Sequence, residues 1–169
     1  DPQAAAYEGR GITYVFQGDL VKALADCNEY IRLAPGSASD YSLRAEIYRL
    51  QGDLVRAMAD ANEGLRLDPQ HAGTYLCRGR IHGHRGEWDQ ALVDLNEAIR
   101  LEPKDADFHG GRAAIYLQQG EREKALADYE EAIRIDPKNV WGHLGLADFY
   151  RHSGDFDKAI AVFTLATGA

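Results

Sequence analysis

Cysteine is scarce in this chain. Only Cys27 and Cys77 occur among 169 residues, 50 positions apart and with no CxxC around either. A disulfide framework or zinc module needs a denser, regularly spaced set, so both read as small buried or half-buried thiols. Long apolar runs are also missing, and none approaches the ~18 residues that a bilayer crossing takes. Positive charge is in deficit: 19 Lys plus Arg stand against 27 Asp plus Glu, a net charge of −8. That argues against a nucleic-acid backbone as the main partner, because such binding relies on a basic stripe, and suits a soluble protein that binds other proteins. There is no phosphate-cradling glycine loop, nucleophile elbow or paired-carboxylate motif, so neither catalysis nor a cofactor is expected. Six histidines are present, but His82 and His84, two apart, do not share a helical face. Neither has an acid or cysteine at ligand spacing, so no metal is expected. The chain opens on Asp1, which reads as a start downstream of the native one, and no localisation is assigned.

What the chain does have is repetition. "IRLAPG" at 31–36, "LRLDPQ" at 65–70, "IRLEPK" at 99–104 and "IRIDPK" at 133–138 place Pro35, Pro69, Pro103 and Pro137 at intervals of 34 residues. After a lead-in at 1–3, this phase divides the chain into repeats 4–37, 38–71, 72–105, 106–139 and an incomplete 140–169 that stops before its proline and shows no capping helix. Other columns keep the same interval. Gly11, Ala45, Gly79, Ala113 and Ala147 are small, and Ala23, Ala57, Ala91, Ala125 and Ala159 are invariant within the chain. A glycine followed by an acid recurs as "QGD", "QGD", "RGE", "QGE" and "SGD". Glycine ends one helix in the left-handed conformation, and the acid caps the next and meets its positive dipole end. The second helix carries an apolar stripe, as in Phe156, Ala159, Ile160, Phe163 and Ala166, and proline stops it. Each repeat is thus a helix–turn–helix.

Charged columns add a pairing. Repeats one to four hold Arg10, Arg44, Arg78 and Arg112 in the first helix and Asp26, Asp60, Asp94 and Asp128 in the second. In the fifth repeat both change together, to Leu146 and Val162. Joint replacement predicts structural ion pairs, each within its own repeat, against the alternative of independent surface charges.

With these columns the sequence resembles the tetratricopeptide repeat family over essentially its whole length. In the third repeat the family pattern falls on Tyr75, Gly79, His82, Gly86, Ala91, Leu95, Ala98 and Pro103. Departures are His82 in a tyrosine slot, His109 and His143 in the first aromatic slot, and Tyr30 and Gly64 where a small alanine is usual. The resemblance implies an all-α, right-handed α-solenoid of stacked helix–turn–helix repeats, since one repeat cannot bury its own apolar faces. It also implies a concave groove that takes an extended peptide or partner helix. Its lining would include Glu8, Ile12, Val15, Phe16, Glu46, Arg49, Leu50, Leu76, Arg80, His84, Leu117, Trp141, Leu144, Asp148, Arg151 and His152. Trp141 reads either as an aromatic anchor or as cover for the junction of repeats four and five. Gly110 and Gly111 leave part of the fourth repeat's first helix bare, for a bulky side chain or simply as a weak helix. The family's carboxylate clamp for chaperone tails would place Glu8, Ile12, Leu43, Gly73 and Cys77 in its slots, and none can donate as the clamp requires.

The leading reading is a non-enzymatic protein–protein interaction scaffold that binds a peptide or partner segment in its groove. A second is a regulatory or targeting domain of a larger enzyme or of a secretion or assembly machine. A third is a self-associating module, a homo-oligomer formed through Phe156, Ile160 and Phe163 at the uncapped C-terminal end. An RNA code read one base per repeat is disfavoured, because groove residues at matching positions vary too widely.

Overall fold

The computed structural model describes residues 2–167; inside its helices, the side chains of Pro2, Ala4, Ala5, Glu8, Ala166 and Thr167 lie outside the described part. Among the described residues all regular structure is helical: α1 (Pro2–Phe16), α2 (Leu20–Leu33), α3 (Ala38–Leu50), α4 (Leu54–Leu67), α5 (Ala72–His84), α6 (Trp88–Leu101), α7 (Ala106–Gln118), α8 (Arg122–Ile135), α9 (Val140–His152) and α10 (Phe156–Thr167). By its internal contacts the chain forms two compact units, Asp1–Gly86 and Glu87–Ala169. The division falls between α5 and α6, inside the third 34-residue repeat.

The recurring glycines work as the period demands. Gly18, Gly52, Gly86, Gly120 and Gly154 all have φ between 73° and 81°, a region where a Cβ is strained. The acid after them behaves in two ways. Asp19 and Asp53 accept the N–H of Lys22 and Arg56 at 3.2 and 3.0 Å. Glu87 and Glu121 occupy the same position without a side-chain cap bond. Neither side chain accepts a first-turn N–H, and that of Glu121 stands 3.3 Å from Lys124 Nζ instead, which corrects the expectation that the whole column caps. Second helices end at Leu33, Leu67, Leu101 and Ile135, two residues before each proline.

In the first unit α1 packs on α2 and α3 on α4, while α3 also meets α2 and α5. Its core joins Ala23, Cys27, Ile31 and Ile47 to a second cluster of Ala45, Tyr48, Ala57, Ala61, Cys77 and Ile81. In the second unit α7 packs on α8 and α9 on α10, around Ala113, Ala125, Tyr129, Leu146 and Phe149. The alanines at 23, 57, 91 and 125 have no exposed surface. Those at 23, 57 and 125 stand where the paired helices α1 and α2, α3 and α4, and α7 and α8 come too close for a larger side chain. Fully buried Ile47, Ile81 and Leu95 each contribute roughly 1.5–3 kcal/mol relative to exposure.

The aromatic-slot departures keep their hydrogen bond. Tyr75 Oη donates to the Pro69 carbonyl at 3.3 Å. Nε2 of His109 and of His143 stands 3.3 and 3.0 Å from the Pro103 and Pro137 carbonyls. Histidine thus replaces tyrosine as a donor to the proline that ends the preceding helix.

Candidate functional site

Three of the arginine–aspartate pairs each lie within one unit and are bonded there. Arg10 Nε and Nη2 donate to Asp26 at 2.6 and 2.7 Å, Arg44 to Asp60 at 2.7 and 2.8 Å, and Arg112 to Asp128 at 2.7 and 2.8 Å. These are bidentate forks, the geometry in which arginine is strongest. Arg78 lies in the first unit and Asp94 in the second. A further partner escaped sequence reading. Nη1 of Arg44, Arg78 and Arg112 donates to Asn28, Asn62 and Asn96 of the preceding repeat, at 3.0, 3.0 and 2.7 Å. The signal was available: the asparagine column ends at Glu130, one repeat before the arginine column ends at Leu146.

On the first unit, the first-helix residues gather around one half-buried carboxylate. Glu46 on α3 accepts two bonds from Arg49, Nε at 2.7 Å and Nη2 at 2.6 Å. Arg49 Nη1 donates to His84 Nε2 of α5 at 2.9 Å. Arg80 Nη1 lies 3.9 Å from Glu46 Oε1, beyond hydrogen-bonding distance. Burial pushes the Glu46 carboxyl up, but the Arg49 bonds and the charges of Arg49 and Arg80 outweigh it, holding the group below its ordinary value. His84 is lowered, by burial and then by Arg49, against the pull of Glu46. The Cys77 thiol, pushed up to about 12 by burial and then by Glu46, donates to the Ser42 carbonyl at 3.6 Å.

Beside this cluster α3 and α5 leave a cleft of about 270 Å³, lined by Ser39, Ser42, Leu43, Glu46, His71, Gly73, Leu76, Cys77 and Arg80. Its walls are apolar at Leu43 and Leu76, and Arg80 supplies a cation. One carboxylate faces two guanidiniums here, so the cluster carries net positive charge in a chain that is acidic overall. Leu50 is exposed on α3, and on α1 Ile12 and Phe16, one turn apart, are exposed, Phe16 to 87%. Val15 is half-buried against the Ala23–Ile47 cluster. The Glu8 side chain lies outside the described residues.

In the second unit the assigned residues separate. Leu117 is half-buried against the Ala113–Tyr129 cluster, and Trp141 on α9 is 66% exposed. Asp148 accepts from Arg151 Nε at 3.0 Å and stands 3.2 Å from His152 Nδ1. Leu144, Asp148 and Arg151 line a different hollow, of about 420 Å³, with Ala147, Phe156, Ala159, Ile160 and Phe163 between α9 and α10. Periodicity gives the face a residue occupies, but not whether another helix covers it.

Among the described residues no three His, Cys, Asp or Glu side chains come together in a way that could hold a metal ion, and no helix is long and apolar enough to cross a membrane.

Comparison with known proteins agrees with the repeat geometry. Two family models, both described as tetratricopeptide repeat, match residues 78–140 and 116–168. No curated protein matches the chain in sequence. Among solved structures, the Thermus thermophilus protein TTC0263, described as a thermophilic TPR protein, superposes with a TM-score of 0.90 at 22% identity, over 96% of this chain and 89% of that one. PilF of Pseudomonas aeruginosa gives 0.78 at 19% identity, over 99% and 77%. MamA from Desulfovibrio magneticus RS-1 gives 0.68 at 20% identity, over 99% and 95%. At these identities the likeness is one of fold, an all-α repeat solenoid.

Proposed function

The chain belongs to the tetratricopeptide repeat family, whose members are protein-interaction scaffolds, and from that premise we propose that its first unit holds an extended peptide in the cleft between α3 and α5, without catalysis of its own. The peptide carries an acidic side chain that takes up Arg80, with apolar neighbours against Leu43 and Leu76. One observation carries this reading. Arg49 already bonds Glu46 through both its Nε and Nη2, while Arg80 stands 3.9 Å away at the edge of the cleft. A cation held near a carboxylate that is already engaged is poised for a second one. A hydrogen bond to a charged group adds roughly 1.5–3 kcal/mol, so Arg80→Ala is expected to weaken binding about tenfold or more.

The test is a random-peptide display selection against the chain, with enriched peptides re-measured by fluorescence anisotropy on Arg80→Ala and Arg80→Lys. Convergence on an acidic residue flanked by apolar ones, with loss on Arg80→Ala and partial retention on Arg80→Lys, is the expected result. Enriched peptides that lack acids, or that bind wild type and Arg80→Ala equally, would overturn it.

A further inference from the structure

The exposed face of α10 is an apolar feature that the proposed peptide cleft does not use. Phe156, Ile160 and Phe163 are 62%, 65% and 50% exposed and border the 420 Å³ hollow against α9. The repeat register says what such a face receives elsewhere. Phe163 stands one period after Tyr129. Tyr129 is buried because its ring lies over Gly145 of α9, so closely that a Cβ there would meet ring atoms Cζ and Cδ1 at 2.6 and 2.9 Å. A large ring on a second helix is thus accommodated by a glycine on the next first helix. The position equivalent to Gly145 in α1, four periods earlier, is Gly9, and a Cβ there meets nothing within 4 Å.

Two more features of α1 fit the same partner. Ile47, Ile81, Ile115 and Phe149, all buried, have as their α1 counterpart the exposed Thr13, and Gly142 has exposed Ala6. The bulk missing from α1 is present on α10. Arg10 uses Nε and Nη2 on Asp26, as Arg44 and Arg112 do on Asp60 and Asp128. Arg44, Arg78 and Arg112 give Nη1 to an asparagine of the preceding repeat. Continuing that asparagine column to α10 gives Thr164, whose hydroxyl oxygen can accept from Arg10 Nη1 of another copy.

We infer that α1 of a second copy of this chain covers the α9–α10 face, with Phe163 seated over the partner copy's Gly9 and Arg10 of that copy reaching Thr164. The contact is heterologous, so each added copy presents the same α10 face again, and association continues unless the rotation closes a ring.

Sedimentation velocity over a concentration series reads this directly. Wild type is expected to show a weight-average mass that rises with concentration. Phe163→Ala and Gly9→Leu are each expected to remain monomeric. An equimolar mixture of the two is expected to stop at a dimer, because one variant keeps an intact α1 and the other an intact α10. Gly9→Leu places a better helix former where space is open, and far-UV circular dichroism checks that both variants fold. Wild type that stays monomeric at every concentration overturns the inference. Association that survives Gly9→Leu but not Phe163→Ala also overturns it, and indicates α10 pairing with α10.

Discussion

Two glycines in the second unit allow the packing argument to be tested with matched substitutions. Gly110 lies inside α7 and Gly145 inside α9. Replacing a mid-helix glycine by alanine gains about 1 kcal/mol from helix propensity and reduced unfolded-state freedom. At Gly110 the new Cβ meets nothing within 4 Å, so Gly110→Ala is expected to stabilise by about that amount. At Gly145 the same Cβ overlaps the edge of the Tyr129 ring. That ring is 4% exposed and held among Ala113, Ala125, Leu146 and Phe149. It must shift within a closed cluster to regain ordinary contact distance, and overpacking of this kind costs ~1–3 kcal/mol. Gly145→Ala is therefore expected to be destabilising by about 1 kcal/mol, leaving the two variants about 2 kcal/mol apart. Urea denaturation followed by circular dichroism measures this as opposite shifts of midpoint at constant m. In a Tyr129→Leu background the penalty at 145 should largely vanish. If Gly145→Ala stabilises as much as Gly110→Ala, the tyrosine–glycine fit is not what buries Tyr129, and the account of Phe163 and Gly9 loses its template.

Three further outcomes follow from the geometry. Arg112→Leu strands a buried Asp128 and should cost about 3 kcal/mol; adding Asp128→Val, which copies Leu146 and Val162, should recover at least about 1 kcal/mol of it in the same urea assay. Cys27 and Cys77, both buried with thiols pushed up to about 12 by loss of solvent, should react with Ellman's reagent at mildly alkaline pH only after denaturant is added, and a fast native phase would contradict their burial. His84 is lowered from 6.5 by burial and Arg49, so the unfolded chain binds its proton first and stability falls as pH drops from 6.5 toward the folded value; His84→Gln should remove that part of the decline. Glu46, held below its ordinary 4.5, contributes stability above that pH that is lost as pH falls through its lower folded value.

The helical-repeat fold was legible because its punctuation is local. A glycine at φ near 80° and a proline that stops a helix act within a few residues, and a period of 34 repeats them until chance is excluded. Capping was legible only where the acid is short: Asp19 and Asp53 cap, and Glu87 and Glu121 do not. The Glu46–Arg49–His84 cluster was legible as a set of first-helix positions but not as a network. Bonds between Arg49 on α3 and His84 on α5 depend on which rotamers the neighbouring side chains leave open. Leu144, Asp148 and Arg151 share a first-helix face by their column, and the structure adds what the column does not give, Phe156 and Ile160 of α10 beside them. A column fixes orientation on a helix; the adjoining element decides what that orientation meets.

Repetition nevertheless carries contact information that a single domain would need many relatives to reveal, because each repeat serves as a comparison for the others. The tyrosine column shows how far this goes. Lys22 lies over Tyr14, Arg56 over Tyr48, Lys124 over Tyr116 and Lys158 over Tyr150, with the cation 4.5–5.5 Å from the ring centroid. Cations over aromatic faces contribute about 0.5–1 kcal/mol at such sites, too little to be noticed singly. In the third repeat the tyrosine becomes His82, and the basic residue eight positions on becomes Gln90. Arg112 and its two partners follow the same logic: where Leu146 replaces the arginine, Val162 and Glu130 replace the aspartate and the asparagine. A lone departure from a column is tolerated variation, whereas departures that fall together at contact spacing mark side chains that touch. On that criterion Tyr129 and Gly145, 16 positions apart, are informative as a pair, because theirs is the one place in the two columns where a large aromatic ring is followed at that spacing by glycine.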